Sequence, residues 1–204
     1  MAATPARQAS LTACCCGQCR KLAEEGASVL VVDLPSASGP ASVAAGIASA
    51  GGTAEGFDCD VSQGADIKAM IGRAVELWGR LDIVVNNAMW MGKGGPAGGI
   101  QGNAVELEEE SWDYAFAVGI KSQYLATKHA VPEMIKVGGG TIVNISSVEG
   151  ALMSRRNLAY ATVKRAVSAP TPQPVGVMGV GSGFGARAAE KAPFRGQPPG
   201  VGVR

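Results

Sequence analysis

The eight residues Leu81 to Ala88, L-D-I-V-V-N-N-A, contain the pattern that decides the fold: a short β-branched apolar run that ends in polar side chains. Such a run is typical of a strand buried on both faces of a parallel sheet. We predict this strand over Leu81 to Val85. Runs of the same form, S-V-L-V-V-D and T-I-V-N-I, occupy Ser28 to Asp33 and Thr141 to Ile145. Thr53 to Cys59 is predicted as a further strand.

Helical patterns separate these strands. Between Gly64 and Trp78, apolar residues recur at the three-and-four spacing of an amphipathic helix. Further helices are predicted over Arg20 to Glu25, Ala41 to Ala50, Ser111 to Val137 and Asn157 to Ser168. Pro132 should kink or end the third of these. Strands alternating with helices predict an α/β fold with a doubly wound parallel sheet.

The composition limits the classes of function. The chain has 204 residues, of which 47% are hydrophobic, enough for one domain with a buried core. With 18 Lys and Arg against 17 Asp and Glu, it lacks the basic field that nucleic-acid binding needs. No apolar run reaches the roughly 18 residues of a membrane span, and the first residues lack a secretory signal. We therefore expect a cytoplasmic protein, with neither nucleic acid nor membrane as a partner.

Four of the five cysteines are clustered near the N-terminus. The five are Cys14, Cys15, Cys16, Cys19 and Cys59. An odd, crowded set is a poor disulfide framework and favours a reducing compartment. Cys16 and Cys19 form a C-x-x-C that would suit a metal or redox site, but a structural zinc site needs a second ligand pair, and the only histidine is His129. We expect no metal, and the alternative of a cysteine-based metal or redox protein rests on C-x-x-C alone.

Polar side chains follow each predicted strand. They are Asp33, Asp60, Asn86 with Asn87, and Ser146 with Ser147. Ligands of open parallel sheets bind at the carboxyl ends of the strands, so this pattern predicts a shared binding edge. The alternative is that the loops are simply polar.

Tyr160 and Lys164 form a Y-x-x-x-K in a predicted helix, where one turn of about 5.4 Å places both on the same face. A nearby ammonium favours the phenolate form of tyrosine, which suits a general acid or base. The motif alone is weak, because many helices contain it as a packed ring beside a solvated amine. Ser147 strengthens it, since it ends the preceding strand and its hydroxyl can reach a carbonyl oxygen at the same edge.

Four motifs in this order resemble the short-chain dehydrogenase/reductase family, over about Lys21 to Ala166. They are Asp60-Val61, Asn86-Asn87-Ala88, N-I-S-S-V-E-G at Asn144 to Gly150 and Y-A-T-V-K at Tyr160 to Lys164. The resemblance implies a Rossmann-like fold and an NAD(P)-dependent oxidoreductase that transfers hydride between nicotinamide and an alcohol or carbonyl compound.

The resemblance also implies a role for each catalytic residue. Tyr160 would exchange a proton with the substrate oxygen, and Ser147 would hydrogen-bond the developing oxyanion. Lys164 would favour the phenolate and hold the nicotinamide ribose, so that Tyr160 and Lys164 also count among the cofactor-binding residues.

The remaining cofactor-binding residues come from the other strand ends. Asp60 and Val61 would meet the adenine, and Asn87 and Ala88 would line the path of the cofactor. Asp33 suits the ribose hydroxyls of NAD and would repel the extra phosphate of NADP. We therefore expect NAD in preference to NADP.

The N-terminal part departs from the family pattern. The family's Gly-rich loop is replaced by Thr12 to Cys19, in which only Thr12 and Gly17 match, and the residues before it are too polar for a central strand. Gly119 stands where the family has an Asn that positions a water beside the catalytic lysine. Met89 replaces the last Gly of N-N-A-G and is expected to crowd the cofactor loop.

The C-terminal part departs as well. Pro170, Pro172 and Pro174 should stop the active-site helix, and residues 170–204 hold 8 Gly and 6 Pro, a composition typical of disorder. We predict an atypical segment 1–20, a partial nucleotide-binding domain 21–168 and a disordered tail 169–204, with the sheet incomplete at its N-terminal strand and C-terminal strands. Both ends are expected to derive from a shifted frame, an unusual splice or a faulty gene model. A catalytically inactive fragment or pseudoenzyme with a binding role stays open as the alternative, as does assembly into a homo-oligomer.

Overall fold

A computed structural model describes residues 8–12, 16–35, 39–92, 95–152, 156–168 and 176–180. Their strands are β1 (Gln8–Thr12), β2 (Ser28–Asp33), β3 (Thr53–Asp58), β4 (Ile83–Asn86), β5 (Thr141–Ile145) and β6 (Gly176–Val180). All pair in parallel in one sheet of order β3-β2-β1-β4-β5-β6. The order reverses between β1 and β4, so the predicted α/β fold with a doubly wound, Rossmann-like sheet is confirmed.

The helices connect these strands. They are α1 (Cys16–Glu24), α2 (Pro40–Ser49), α3 (Gly64–Trp78), α4 (Glu109–Phe116), α5 (Ser122–Lys136), α6 (Glu149–Leu152) and α7 (Leu158–Val167). A π-helical turn, Ala117–Lys121, joins α4 to α5. Gly79 ends α3 with a φ of 72°, a left-handed conformation that glycine adopts without steric cost.

Of the two outcomes expected for Pro132, a kink or an early helix end, the early end is not seen. Pro132 lies inside α5 without ending it, and the helix continues to Lys136. Pro132 is on the exposed side, where water can satisfy the backbone carbonyl that loses its partner.

The core has two layers, one on each face of the sheet. Leu30 and Val32 of β2 belong to one apolar cluster, with α3 and α5 residues, whereas Val29 and Val31 belong to a second cluster with α1 and α2 residues. Side chains along a strand alternate between faces, so a strand covered on both faces must be apolar at every position. This is why the continuous apolar runs predicted strands correctly. Among the described helices, none is long and apolar enough to cross a lipid bilayer.

Two segments for which the sequence predicts no strand belong to the sheet. Gln8–Thr12, judged too polar, is the central strand β1 and pairs with both β2 and β4. Gly176–Val180, inside the predicted disordered tail, pairs with β5 as β6. Hydrogen bonding to neighbouring strands outweighs the weak strand preference of these short segments. The first seven residues and residues 181–204 lie outside the described residues, so the other boundaries of the three predicted segments stay predictions.

Candidate active site

Hydrogen bonds between neighbouring strands hold the carboxyl edge of the sheet together. The Asn86 side-chain amide, at the end of β4, donates to Oδ1 of Asn144 in β5 at 2.8 Å. The Cys59 backbone N–H, just beyond β3, donates to the Asp33 carbonyl at the end of β2 at 2.9 Å. The residues that follow these strands therefore meet at one edge, as the sequence predicted.

Lys164, on α7 with Tyr160, reaches this edge at the end of β5. Only 4% of Lys164 is exposed, and its Nζ donates to the Ile145 carbonyl at 2.7 Å. The same Nζ lies 5.8 Å from the centroid of the Tyr160 ring. Burial lowers the pKa of Lys164 from its usual value of 10.5, because the charged form loses hydration. The lysine thus links the end of β5 to the face of α7 that carries Tyr160.

The segment between β5 and α6 is shaped by its contacts with α7. Ser146 Oγ donates to the Lys164 carbonyl at 2.7 Å. Gly150 lies against the same stretch of backbone, since a Cβ there would be 2.7 Å from the carbonyl carbon of Lys164. Only glycine allows this approach without displacing α7. Ser146 and Gly150 therefore fix the segment, and Ser147 lies between them.

The hydrogen bond that the structure gives Ser147 uses its oxygen as an acceptor, so the hydroxyl proton can still be donated. Its Oγ accepts the Glu149 backbone N–H at 3.3 Å. That contact engages a lone pair of the oxygen and leaves the hydroxyl proton to donate elsewhere. Ser147 is half-buried, as is Tyr160.

The predicted cofactor residues line the other half of the edge. Asp33 is half-buried, and its Oδ1 accepts the Leu34 N–H at 2.8 Å. Asp60 Oδ1 accepts the Ser62 N–H at 2.9 Å, which fixes the turn after β3. Val61 and Ala88 are 9% and 7% exposed and belong to one apolar cluster. Asn87, in the segment after β4, is half-buried.

The start of α1 lies at the carboxyl edge of the sheet and has open space in front of it. The first strand ends with Thr12 paired to Val32 and Asn86, so α1 begins where the sheet order reverses. Gly17, in the first turn of α1, is exposed, and a Cβ there would meet no atom within 4 Å. A helix start with open space favours a bound anion such as a pyrophosphate. Residues 13–15 of the loop between β1 and α1 lie outside the described residues.

Gly119 lies in the π-helical turn and is buried. A Cβ at this position would collide with Val163 Cγ1 of α7 and lie 3.0 Å from the Met89 sulfur. The space that a side chain at 119 would need is therefore filled by Met89 and Val163. Met89, which replaces the last Gly of N-N-A-G, packs over Gly119.

A second Y-x-x-x-K, which the sequence reasoning missed, lies in α5 at Tyr124 and Lys128. Lys128 Nζ is 6.0 Å from the Tyr124 ring centroid, close to the distance in the first pair. Tyr124 is 60% exposed, and both side chains are on the surface. The motif's spacing therefore reproduces the ring-to-amine geometry anywhere on a helix. Burial of the lysine and its bond to Ile145 distinguish the pair on α7.

The two cysteines whose side chains the structure describes, Cys19 and Cys59, are packed in the core. Cys19 is fully buried in α1 and Cys59 is 2% exposed. Burial, followed by the charges of Asp66 and Asp60, raises the pKa of Cys59 to about 12. Such a thiol is protonated near neutral pH and is a poor nucleophile or metal ligand. Among the described residues, no three His, Cys, Asp or Glu side chains are grouped as a metal site would need; Cys14 and Cys15 lie outside them.

Comparison with known proteins points to one family. The family profile described as short chain dehydrogenase matches residues 16–174. An uncharacterized oxidoreductase of Thermotoga maritima is 39% identical over 147 residues, which cover 71% of this chain and 53% of that protein. The 2,5-dichloro-2,5-cyclohexadiene-1,4-diol dehydrogenase LinX of Sphingobium indicum is 36% identical over 74% of this chain and 56% of its own length. A 3beta-hydroxysteroid dehydrogenase of Mediterraneibacter gnavus is 35% identical, with 74% and 51% covered.

The solved structures agree with the sequence relatives. A short-chain dehydrogenase/reductase from Serratia marcescens superposes with a TM-score of 0.71 at 26% identity, over 80% of this chain and 66% of the other. The chain spans about half the length of the curated relatives it matches.

Proposed function

Because the chain belongs to the short-chain dehydrogenase/reductase family, whose members are NAD(P)-dependent oxidoreductases, we propose that it interconverts an alcohol and a carbonyl compound with a nicotinamide cofactor. The observation that carries the proposal is the buried Lys164 amine, held 2.7 Å from the Ile145 carbonyl beside the Tyr160 ring. Ser146, the neighbour of Ser147, donates a hydrogen bond to the backbone carbonyl of the same lysine.

The proposed proton transfer uses Tyr160, Lys164 and Ser147. NAD(P)H, when bound, supplies the hydride that the carbonyl carbon receives. In the reduction, Tyr160 donates its phenolic proton to the carbonyl oxygen, and the product is an alcohol. In the oxidation, the tyrosine takes that proton back. Ser147 donates a hydrogen bond to the substrate oxygen, and the fixed Lys164 amine stabilises the phenolate.

We propose that the cofactor is held by Asp33, Asp60, Val61, Asn87 and Ala88, with Tyr160 and Lys164 at its nicotinamide ribose. The Asp33 carboxylate accepts hydrogen bonds from two ribose hydroxyls and repels a 2′-phosphate, which favours NAD over NADP.

The substrate is proposed to be a small alcohol or carbonyl compound. The names of two relatives give a cyclohexadienediol and a 3beta-hydroxysteroid as the compounds that those proteins oxidise, and both carry a secondary hydroxyl on a ring.

Two measurements test the proposal with this chain. The first is quenching of Trp fluorescence by NADH and by NADPH, where NADH is expected to bind more tightly and Asp33→Asn to reduce the difference. The second is ketone reduction followed at the NADH absorbance. Tyr160→Phe should lower turnover by more than about 100-fold, because it removes the proton that is transferred.

The second Y-x-x-x-K supplies a matched control for that variant. Tyr124→Phe removes the same hydroxyl from the same motif on an exposed helix face and should leave turnover unchanged. Equal losses in both variants, or turnover that survives Tyr160→Phe, contradict the proposed role of Tyr160. A chain that binds neither nucleotide favours the pseudoenzyme alternative.

A further inference from the structure

Backbone hydrogen bonds tie the segment between β4 and α4 to the start of α7. The Gly102 N–H donates to the Arg156 carbonyl at 2.9 Å, and the Leu158 N–H donates to the Gly102 carbonyl at 3.3 Å. Gly102 and Asn157 thereby form a parallel β-bridge outside the sheet. Leu158 is the first residue of α7, and Tyr160 follows two residues later. We call these two hydrogen bonds the Gly102 bridge.

The Gly102 bridge depends on a glycine. Gly102 is buried and has a φ of 146°, a conformation that residues with a Cβ rarely adopt. A Cβ there would also lie 3.2 Å from the Leu107 backbone nitrogen. Another residue at this position would therefore strain the backbone that makes both hydrogen bonds.

The residue after Gly102 anchors the bridge in a hydrogen-bonded turn. The Asn103 side-chain oxygen accepts the Val105 N–H at 2.8 Å and the Glu106 N–H at 3.2 Å. The Leu107 N–H donates to the Asn103 carbonyl at 3.1 Å. These bonds close an Asx turn, which holds the backbone next to Gly102 in one conformation.

The earlier part of the same segment is packed into the core. Trp90 and Ile100 are 4% and 5% exposed, and they belong to the apolar cluster that contains Ala88. The segment therefore runs from a residue proposed to line the path of the cofactor, through buried contacts, to the start of the helix that carries Tyr160. A change at its far end can reach α7 through the backbone alone.

We propose that Gly102 is a positioning residue: the Gly102 bridge fixes the start of α7, and with it the Tyr160 hydroxyl, relative to a cofactor bound along the segment after β4. The proposal rests on the proposed function, because it takes Tyr160 as the proton donor. Hydride and proton must reach one carbonyl group from fixed positions, and a misplacement of about 1 Å can cost about 100-fold in rate. A loosened bridge should therefore lower kcat and leave the binding of NADH and of the ketone nearly unchanged.

The first test compares two glycines of this segment in the full chain. Gly102→Ala should lower kcat for ketone reduction by about 10- to 100-fold, with KM for the ketone changed by less than about 3-fold. Gly99→Ala is the matched control. Gly99 also has a positive φ, of 69°, but a Cβ there would meet no atom within 4 Å, and its N–H donates to the Pro96 carbonyl within the segment. This control should leave kcat unchanged.

A second pair of variants loosens the turn without replacing a glycine, and it keeps the test decisive if Gly102→Ala does not fold. Asn103→Ala removes the oxygen that accepts two N–H groups and should lower kcat in the same direction as Gly102→Ala. Asn103→Asp keeps an acceptor oxygen and should restore kcat. An equal loss in Gly102→Ala and Gly99→Ala, or a loss in Asn103→Ala that Asn103→Asp does not restore, overturns the proposal.

Hydrogen–deuterium exchange separates this proposal from the proposed reaction, because it needs neither cofactor nor substrate. The Leu158 N–H should exchange faster in Gly102→Ala and Asn103→Ala than in the wild type, and Gly99→Ala should leave its rate unchanged. If the wild type reduces no ketone but this pattern is seen, the proposed reaction fails and the Gly102 bridge still holds the start of α7. Exchange of the Leu158 N–H that is the same in all these proteins overturns the role of the bridge, whatever the turnover.

Discussion

Gly119→Ala tests whether the packing of the π-helical turn against α7 is as tight as the structure shows. A Cβ at position 119 would collide with Val163 Cγ1 and lie 3.0 Å from the Met89 sulfur. Val163 is fully buried. A helical valine is largely restricted to one χ1 rotamer, so Val163 cannot turn its methyl aside. The Met89 side chain is flexible and can move.

Two effects of this substitution oppose each other. Alanine is favoured over glycine in a helix interior by about 1 kcal/mol. Overpacking a filled site costs about 1–3 kcal/mol, and the rigid Val163 places this site in the upper part of that range. We expect overpacking to win and the free energy of unfolding to fall by about 1–2 kcal/mol, which lowers Tm by roughly 2–8 °C for a chain of this size.

Urea unfolding followed by circular dichroism measures the change. Gly72→Ala in α3 is the control, because a Cβ there would meet no atom within 4 Å, and it should raise stability by up to about 1 kcal/mol. Val163→Ala removes the obstructing methyl, so the double variant with Gly119→Ala should be more stable than the sum of the single effects by about 1 kcal/mol or more. A Gly119→Ala protein that is stabilised like Gly72→Ala refutes the reasoning.

Three further outcomes are expected. Gly56→Ala should lower the free energy of unfolding by about 3 kcal/mol or more, measured in urea, because a Cβ would lie 2.6 Å from the Ala41 Cα and force α2 away from β3. Cys59 should resist iodoacetamide at about pH 8 in the folded protein, because burial raises its pKa to about 12. It should react in urea, and intact mass measures both outcomes. Burial lowers the pKa of Lys164 in the folded protein below the unfolded value of 10.5. At pH values between the lowered pKa and 10.5, the unfolded chain binds more protons than the folded one, so stability rises with pH. Lys164→Met should lose that rise, which urea midpoints between about pH 8 and pH 10.5 will show.

Elements with a complete local pattern could be predicted from the sequence. The strand Ser28–Asp33, the helix Gly64–Trp78 and the strand Thr141–Ile145 have the predicted bounds. In each, the spacing of apolar residues within the segment matches the burial that the fold imposes. The central strand Gln8–Thr12 could not be predicted in this way, because backbone pairing on both sides supports a segment whose own pattern is weak.

The sequence pointed to candidate site residues but not to the contacts that surround them. The Y-x-x-x-K spacing pointed to Tyr160 and Lys164, yet the pair Tyr124 and Lys128 has the same spacing and nearly the same separation. What distinguishes the pair on α7 is the hydrogen bond from Lys164 Nζ to the Ile145 carbonyl, which joins residues far apart in the sequence. Spacing within one helix carries no information about a strand that packs beside it.

Lys164 connects β5 and α7 through both its side chain and its backbone. Its Nζ donates to the Ile145 carbonyl at 2.7 Å, and its own carbonyl accepts the Ser146 hydroxyl at 2.7 Å. These two hydrogen bonds, which help to position Tyr160 and Ser147, lie within residues 145–164. The residues proposed to hold the adenine end of a cofactor lie on other strands. Defects at the adenine end of the cofactor and in proton transfer should for this reason be separable, so that Asp33→Asn changes the preference for NADH over NADPH, whereas Tyr160→Phe removes turnover and leaves that preference unchanged.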